Sequence, residues 1–398
     1  MRISTNQLNM SGLREILNRQ AELADLQLRM ATQKRFLTPA DDPVAATSVL
    51  NLDTDIALLE QYNRNADLAQ SSNELEESLL SSVTTINFRI KELFVSLGDG
   101  AYQAEDINAI RIELEQRRDE LVGIANSRSA SGDYIFSGFQ TQTKPFTEDA
   151  AGNIIYNGDQ GQRSLRVSSG LLVPISDSGF DVFINSFNGN GRIITGSNAA
   201  NTGSGIIEPT DTGLANIVDT YEIQFTSDTT YDIVNTTTAT VIQSGTFTDG
   251  SEISFAGVSV KLTGTPLNGD VFTVSPAQRQ DIFSTIDNVI SAIDNYVDTE
   301  AGRAQFRNVM IAMDDSFENN MTTVDNVRSD IGTRLNSIDQ ERETNLGLIL
   351  SQKQTLSKLQ DLDIVEAASE LSRQTTVLEA AQSSFVRVQN LSIFRFLN

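Results

Sequence analysis

The sequence contains no cysteine, no histidine and no tryptophan. Without cysteine it can form neither disulfides nor thiolate metal sites, and without histidine it cannot form Ser-His-Asp or Cys-His triads or the usual zinc sites. The chemistries that remain are those of carboxylate pairs, lysine, or Mg²⁺ or Ca²⁺ bound by oxygen atoms. The composition therefore favours a protein that is not an enzyme, and we expect no catalytic residue, cofactor or metal.

Apolar and basic residues are also scarce. Of the 398 residues, 39% are hydrophobic and only 7% aromatic, and the formal net charge is −24. A charge of this sign argues against nucleic acid or an anionic membrane as a partner, because like charges repel. No run of eighteen apolar residues is present, and the start MRISTNQLNM lacks the apolar core of a secretory signal. We therefore expect neither a membrane span nor a cleaved signal.

Proline and glycine are unevenly distributed. The chain has no proline in residues 44–144 or after Pro276, and 18 of its 25 glycines lie between Gly132 and Gly269. Helix interiors exclude proline strongly and glycine mildly. The distribution therefore predicts two helical arms on either side of a glycine-rich centre.

The arms carry apolar residues at seven-residue spacing. Sustained heptads are typical of a coiled coil or a long helical bundle. Three such series are Ile16, Leu23, Met30 and Leu37; Met310, Phe317, Val324, Ile331 and Ile338; and Ile364, Leu371, Leu378 and Phe385.

The centre changes to a two-residue period. YEIQF, TYDIV, ISFAGVSVKL and DVFTV alternate apolar and polar residues between turn-forming clusters, which predicts antiparallel strands over about 144–274. Residues 186–205 have the composition of a loop, and Ser275–Gln278 resembles a capping box that opens a helix. The predicted fold class is α+β: an elongated α-helical coiled-coil rod formed by the N- and C-terminal arms, with an inserted antiparallel β domain.

Several motifs carry a family resemblance. MRIST, KRFLTPADDPVAA, SGDYIFSGFQTQTKPF and the ending SSFVRVQNLSIFRFLN resemble the flagellin superfamily, and within it the hook-associated protein 3 family of hook–filament junction proteins. One departure is Gln33, where that family usually has glycine. A residue other than glycine favours continuation of the first helix to about Lys34.

The resemblance implies a three-part organisation. Residues 1–43 with 357–398 would form a terminal coiled-coil domain lining the inner tube. Residues 44–143 with 275–356 would form a helical rod domain, and residues 144–274 an outer β-rich domain.

It also implies a function. The chain would be a structural subunit of the bacterial flagellum at the junction of hook and filament, exported through the flagellar channel without a cleaved signal and therefore extracellular. Its partners would be further copies of itself in a ring or tube, the adjacent hook-associated protein, flagellin, and a cytoplasmic export chaperone.

Two sets of residues are candidates for the site. We expect the terminal helices to present apolar residues to neighbouring subunits, because a two-helix hairpin covers only one face of each helix. This assembly interface comprises Ile16, Leu23, Met30, Leu37, Ile364, Leu371, Leu378, Phe385, Val388, Leu391, Ile393, Phe394, Phe396 and Leu397. The inter-domain joint comprises Thr38, Pro39, Asp41, Asp42 and Pro43, with Asp42 as helix N-cap and Pro43 at the first helical position.

Two other interpretations remain open. The first is flagellin, the filament subunit, which shares the paired terminal helices. The second is a protein of a different class, a type III tip or adhesion protein whose β domain would bind a ligand.

The adjacent carboxylates Glu76/Glu77 and Asp314/Asp315 are expected on solvated helix faces. The basic residues of the first helix are expected to pair with Asp361, Asp363, Glu366 and Glu370 of the last helix.

Overall fold

A computed structural model describes residues 5–98, 104–210 and 217–394. Within these ranges the chain has long helices at both ends and strands in the centre, so the predicted α+β class with antiparallel sheets is confirmed. The helices are α1 (Thr5–Thr32), α2 (Pro43–Gly98), α3 (Ala104–Ala125), α4 (Gly179–Phe183), α5 (Ile282–Asp294), α6 (Glu300–Gln360) and α7 (Ile364–Phe394).

The strands lie between Phe146 and Pro276, close to the predicted limits. They are β1 (Phe146–Glu148), β2 (Ile154–Tyr156), β3 (Ser164–Arg166), β4 (Leu172–Pro174), β5 (Ile193–Ser197), β6 (Ile206–Thr210), β7 (Tyr221–Ser227), β8 (Thr230–Asn235), β9 (Thr240–Thr246), β10 (Glu252–Phe255), β11 (Val258–Thr263) and β12 (Val271–Pro276).

The described residues divide into two compact units. Unit 1 contains residues 1–64 and 341–398, and unit 2 contains residues 65–340. The predicted three-part organisation stays a prediction.

Unit 1 is helical. Helix α1 packs against α7, and the beginning of α2 and the end of α6 belong to the same unit. Val49, Ile56 and Ile349 are among its buried apolar residues, and Lys353 pairs with Glu60 at 3.0 Å between α6 and α2. Unit 1 therefore combines helices from both ends of the chain.

Unit 2 has a long helical core. The heptad residues of α6 from Met310 to Ile338 are at most 3% exposed, which confirms their predicted place in the core. They face a stripe on α2 whose buried residues follow steps of three and four, with Phe94 and Phe317 placing their ring centroids 5.1 Å apart. The two-helix packing is that of a coiled coil.

The strands of unit 2 form two larger sheets and two hairpins, all antiparallel. The five-stranded sheet has the order β5-β12-β7-β8-β9, the three-stranded sheet the order β10-β11-β6, and β1-β2 and β3-β4 are hairpins. In β7 the side chains of Tyr221, Ile223 and Phe225 are buried and the residues between them are not, as the two-residue period predicts. Residues of both larger sheets share one apolar cluster.

Two sequence predictions about this region are wrong. The predicted loop 186–205 contains β5, which pairs with β12 so that Val274 lies opposite Thr195. The predicted capping box at Ser275 does not open a helix, because Ser275 and Pro276 end β12. Helix α5 begins at Ile282 instead, where Asp281 is the N-cap and its side chain accepts a hydrogen bond from the Ser284 N–H.

Candidate assembly surface

The seam between α1 and α7 is closely packed in unit 1. A Cβ added at Gly12 would lie 2.9 Å from the Phe385 ring, so the glycine allows the ring to approach α1. Beside this contact is a cavity of about 340 Å³ whose lining includes Ile16, Phe385 and Val388. Leu378 is only 8% exposed. The seam therefore uses part of the predicted interface within one chain.

The predicted interface residues differ in how much of each side chain is exposed. Leu378 is buried, whereas Ile364 and Val388 are exposed. The partly buried residues are Ile16, Leu23, Met30, Leu37, Leu371 and Phe385. The side chains of Leu391, Ile393 and Phe394 are outside the described part of the structure, as are the whole residues Phe396 and Leu397.

A second set of apolar residues lies outside the seam. Met10, Leu13 and Leu17 follow one another at steps of three and four on α1, and each is about half exposed. On α7, Val365, Val377 and Val386 are also exposed. None of these residues is among the predicted interface residues. The terminal helices thus carry apolar surface that their mutual packing leaves open to solvent.

The predicted ion pairs between α1 and α7 are wrong for Arg19 and Arg29. Arg19 pairs with Glu15 at 3.1 Å and with Glu22 at 2.9 Å, both on its own helix. Arg29 pairs with Asp25, and Glu370 of α7 pairs with Arg373 of α7. Pairs at spacings of three and four need no long-range register to form, so they compete well with interhelical ones.

The first helix ends earlier than the sequence predicts. Helix α1 stops at Thr32, and Gln33 takes the left-handed conformation with φ of 57°. The next N–H, that of Lys34, donates to the carbonyl of Arg29 at 3.2 Å. Gln33 therefore occupies the position that glycine usually fills at a helix C-terminus. The prediction that helix continues to Lys34 is wrong, because the chain reversal requires this conformation whichever residue is present.

We expect Gln33→Gly to raise the free energy of unfolding of unit 1 by about 1 kcal/mol or less. Glycine removes the steric cost of the left-handed conformation, and its greater freedom in the unfolded chain offsets part of the gain. Denaturant melts followed by circular dichroism would measure the change. Gln27→Gly, within α1, is the matched control and should be destabilising; a loss of stability in both variants would contradict the argument.

Two aspartates order residues 38–43, the predicted inter-domain joint, which lies within unit 1. The Asp41 carboxylate accepts hydrogen bonds from the backbone N–H groups of Thr38 and Leu37, at 2.9 Å each, and these hold its pKa below the usual range. Asp42 accepts from the Ala45 N–H at 3.0 Å, which lowers the pKa of Asp42 in the same way. Because α2 begins at Pro43, the predicted N-cap and first helical position are confirmed.

A second break, at residues 361–363 between α6 and α7, lies close to the predicted boundary at 356/357. The Arg35 N–H donates to the Gln360 carbonyl at 2.7 Å, and the Leu362 N–H donates to the Gln33 carbonyl at 2.9 Å. Asp363 then caps α7 through the N–H groups of Val365 and Glu366. The Asp-Leu-Asp sequence before Ile364 was the available signal, since aspartate favours helix N-caps. The two breaks form an antiparallel bridge between Lys34 and Asp361.

Glu76 is another residue whose surroundings the sequence predicted wrongly. The prediction of a solvated helix face fails because Glu76 is fully buried in unit 2. Burial, together with the nearby Asp177 carboxylate, raises the pKa of Glu76 to about 8. No acidic side chains in the described ranges are grouped as a metal ion would require.

Matches to known families agree with this architecture. The profile of the bacterial flagellin N-terminal helical region matches residues 3–141. The profile of the D2-like domain of flagellar hook-associated protein 1 matches residues 196–276. The fold and these matches define a flagellin-like protein.

Full-length relatives narrow the class. Flagellar hook-associated protein 3 of Escherichia coli strain K12 is 25% identical over 99% of each chain. A crystal structure of FlgL from Xanthomonas campestris has a TM-score of 0.72 and 28% identity, covering 77% of this chain and 99% of that one. Hook-associated protein 3 from Legionella pneumophila has a TM-score of 0.74 and 26% identity, covering 78% and 98%. The chain is therefore similar to hook-associated protein 3 along nearly its whole length.

Flagellin is a more distant relative. Phase 1 flagellin of Salmonella naestved is 24% identical over 135 residues, which is 34% of this chain. Hook-associated protein 3 thus matches this chain over nearly its whole length, whereas this flagellin matches about a third of it. Among the helices that the structure describes, none has the length and hydropathy to cross a membrane.

Proposed function

We propose that this protein is a structural subunit of the bacterial flagellum that joins hook to filament. The observation that carries the proposal is the match to hook-associated protein 3 over 99% of both chains, whereas flagellin matches about a third of this chain. Among the structural neighbours above 25% identity, FlgL from Legionella pneumophila is named a flagellar junction protein.

The exposed faces of α1 and α7 are the proposed assembly surface. A leucine side chain that becomes fully buried contributes about 1.5–3 kcal/mol. Leu13 and Leu17 of α1 and Val386 of α7 are each at least 46% exposed, so a neighbouring subunit could bury much of their area. Lost rotational and translational freedom offsets part of this gain. Several such residues together are therefore needed for stable assembly.

The role proposed for the chain is mechanical, with no catalysis. The sequence has neither histidine nor cysteine, which removes the most common nucleophiles and bases. The raised pKa of Glu76 would suit a general acid, but its buried place on the inner stripe of α2 gives a substrate no access. We assign no cofactor to the chain.

The partners follow from the position at a junction. They would be further copies of this chain, the adjacent hook-associated protein on the hook side and flagellin on the filament side. Because apolar helix faces favour aggregation before assembly, a cytoplasmic chaperone that covers them would complete the set. The location would be extracellular, after export through the flagellar channel.

The test is polymerisation. The purified full chain should form only limited assemblies alone and should add to isolated hook ends that carry the preceding hook-associated protein. Flagellin, run in parallel, should form long filaments. Electron microscopy distinguishes the outcomes: long filaments from this chain alone would favour the flagellin interpretation, and no addition to hook ends would contradict the junction role.

A further inference from the structure

A buried polar cluster lies where the β3–β4 hairpin meets α2 and α6, within unit 2. Glu76 occupies the inner stripe of α2 and is 0% exposed. Asp177, in the segment between β4 and α4, is 5% exposed, and Arg334 reaches the cluster from α6. Three separate parts of the chain thus place charged groups in one buried region.

The contacts within the cluster are specific. The Asp177 N–H donates to Glu76 Oε1 at 3.0 Å. Arg334 donates two hydrogen bonds to the Asp177 carboxylate, at 2.7 and 2.9 Å, in the bidentate geometry that makes such pairs strong. Gln162 donates a further hydrogen bond to Asp177 at 2.6 Å. Asp177 is therefore well compensated, whereas Glu76 accepts one backbone hydrogen bond.

The second oxygen of Glu76 lacks a partner. Oε2 is buried and makes no hydrogen bond in the structure. An ionised carboxylate would leave a buried negative charge on this atom, next to the charge of Asp177. The Arg334 guanidinium lies near Glu76 but donates its two hydrogen bonds to Asp177. The geometry accommodates one negative charge in the pair and one proton on Glu76.

The charged groups around Glu76 support this assignment. Burial and the Asp177 carboxylate disfavour the ionised form of Glu76. Arg334 and Arg163 favour the ionised form, but more weakly than burial opposes it. Arg163 is directed to the Ser176 hydroxyl at 3.3 Å, and Asp330 is a further acidic group near Arg334. The pKa of Glu76 is accordingly raised, to about 8.

The cluster is one end of a longer attachment. On α2, Asn65 donates to the Arg166 carbonyl at 2.8 Å, and Asn73 donates to the Pro174 carbonyl at 2.9 Å. Between these bonds lies an apolar cluster formed by Ala66, Ala69, Val167, Val173 and Ile338. Glu76 extends the same row on α2 to the Asp177 N–H. It is the titratable member of the row, since the two other polar side chains, Asn65 and Asn73, do not ionise.

We propose that Glu76, Asp177 and Arg334 form a proton-operated latch that holds residues 164–177 on α2 and α6. With the proton on Glu76 the cluster carries no excess charge and the latch is closed. When the proton leaves, the two carboxylates repel each other in a buried site, and the segment around Asp177 opens more often. This device does not depend on the proposed junction function.

The pH dependence has a definite sign. Because the folded pKa of Glu76 lies above its unfolded value, the latch is fully effective below about pH 4.5 and its contribution is lost as the pH rises through about 8. The opening equilibrium constant should increase by up to tenfold for each pH unit in this window, since one proton is released. Above it the dependence should level off.

Hydrogen exchange of the Asp177 amide, corrected for its intrinsic rate, tests the latch in the full-length chain between pH 5 and 9. Glu76→Gln keeps the shape and the acceptor oxygen but cannot ionise, so its opening constant should be flat over this range. At pH 9 the variant should be at least tenfold better protected than the wild type. Glu74→Gln, which removes an exposed carboxylate two residues away, should retain the wild-type profile.

Parallel profiles for the wild type and Glu76→Gln would overturn the proposal. If Glu76→Gln does not fold, infrared difference spectra of the wild type decide the matter. The C=O stretch of a buried protonated carboxyl group should persist at neutral pH and disappear as the pH rises through about 8. Its disappearance near pH 5 would also overturn the proposal.

Discussion

Phe146→Ala should lower the free energy of unfolding of unit 2 by about 3–5 kcal/mol, because it removes a large side chain from a rigid core. Phe146 is 1% exposed, and its ring centroid lies 5.1–5.5 Å from those of Tyr156, Phe183 and Phe283. These rings come from β2, α4 and α5, so the cavity would affect three elements at once. Denaturant unfolding followed by circular dichroism would measure the loss.

Phe88→Ala is the matched control for this variant. Phe88 lies on α2 and is 57% exposed, so its truncation should change the free energy of unfolding by no more than about 0.5 kcal/mol. Equal losses in the two variants would show that the aromatic cluster is not the stabilising core described here.

The double variant Leu13→Ser, Leu17→Ser should weaken assembly on hook ends by about tenfold or more. A fully exposed leucine that becomes buried contributes about 1.5–3 kcal/mol. Because each of these side chains is already about half buried, the two together at the lower limit contribute about 1.5 kcal/mol, or about one power of ten in the association constant. Both side chains are about half exposed in the single chain, so the helicity and melting of the monomer should change little. Co-sedimentation with hooks measures the binding.

Two controls separate assembly from folding. Gln20→Ser alters an exposed polar position on the same helix and should assemble normally. Leu378→Ala removes a buried side chain of the α1–α7 seam and should lower the stability of unit 1 itself. If the double variant binds hooks as well as the Gln20→Ser chain does, the outer face of α1 is not an assembly surface.

Much of the fold follows from sequence periodicity. The seven-residue series of α6 lies in the core because every member falls on one helix face, and the alternation in β7 orients its apolar residues to one side of a sheet. Pro43 and Asp42 mark the start of α2 since their helix preferences are local. These features need no information from distant parts of the chain.

The wrong predictions concern residues whose conformation or burial depends on contacts with distant parts of the chain. Gln33 is left-handed because the chain must turn to meet residues 360–362, and no local preference of glutamine indicates this. Strand β5 forms because β12 pairs with it from about 80 residues away. Glu76 is buried because Asp177 and Arg334 approach it from other segments. Each outcome depends on tertiary context overriding local preference.

The candidate surface was predicted in part. The heptad rule identifies the face of each terminal helix that contacts the other, as Leu378 and the Phe385–Gly12 contact show. It does not indicate how much apolar surface remains uncovered, since that depends on the exposure of Leu13, Leu17 and Val386 in the folded chain.

The bridge between the breaks at Lys34 and Asp361 constrains how this chain can vary in evolution. The bridge aligns α1 with α7, so a residue gained or lost between the bridge and either helix would rotate that helix by about 100° relative to its partner. A single-residue insertion on one side would move the ring of Phe385 away from Gly12. An insertion or deletion on one side of the bridge is therefore tolerable only with a matching change on the other side. Among related sequences, the lengths of the two breaks should change together.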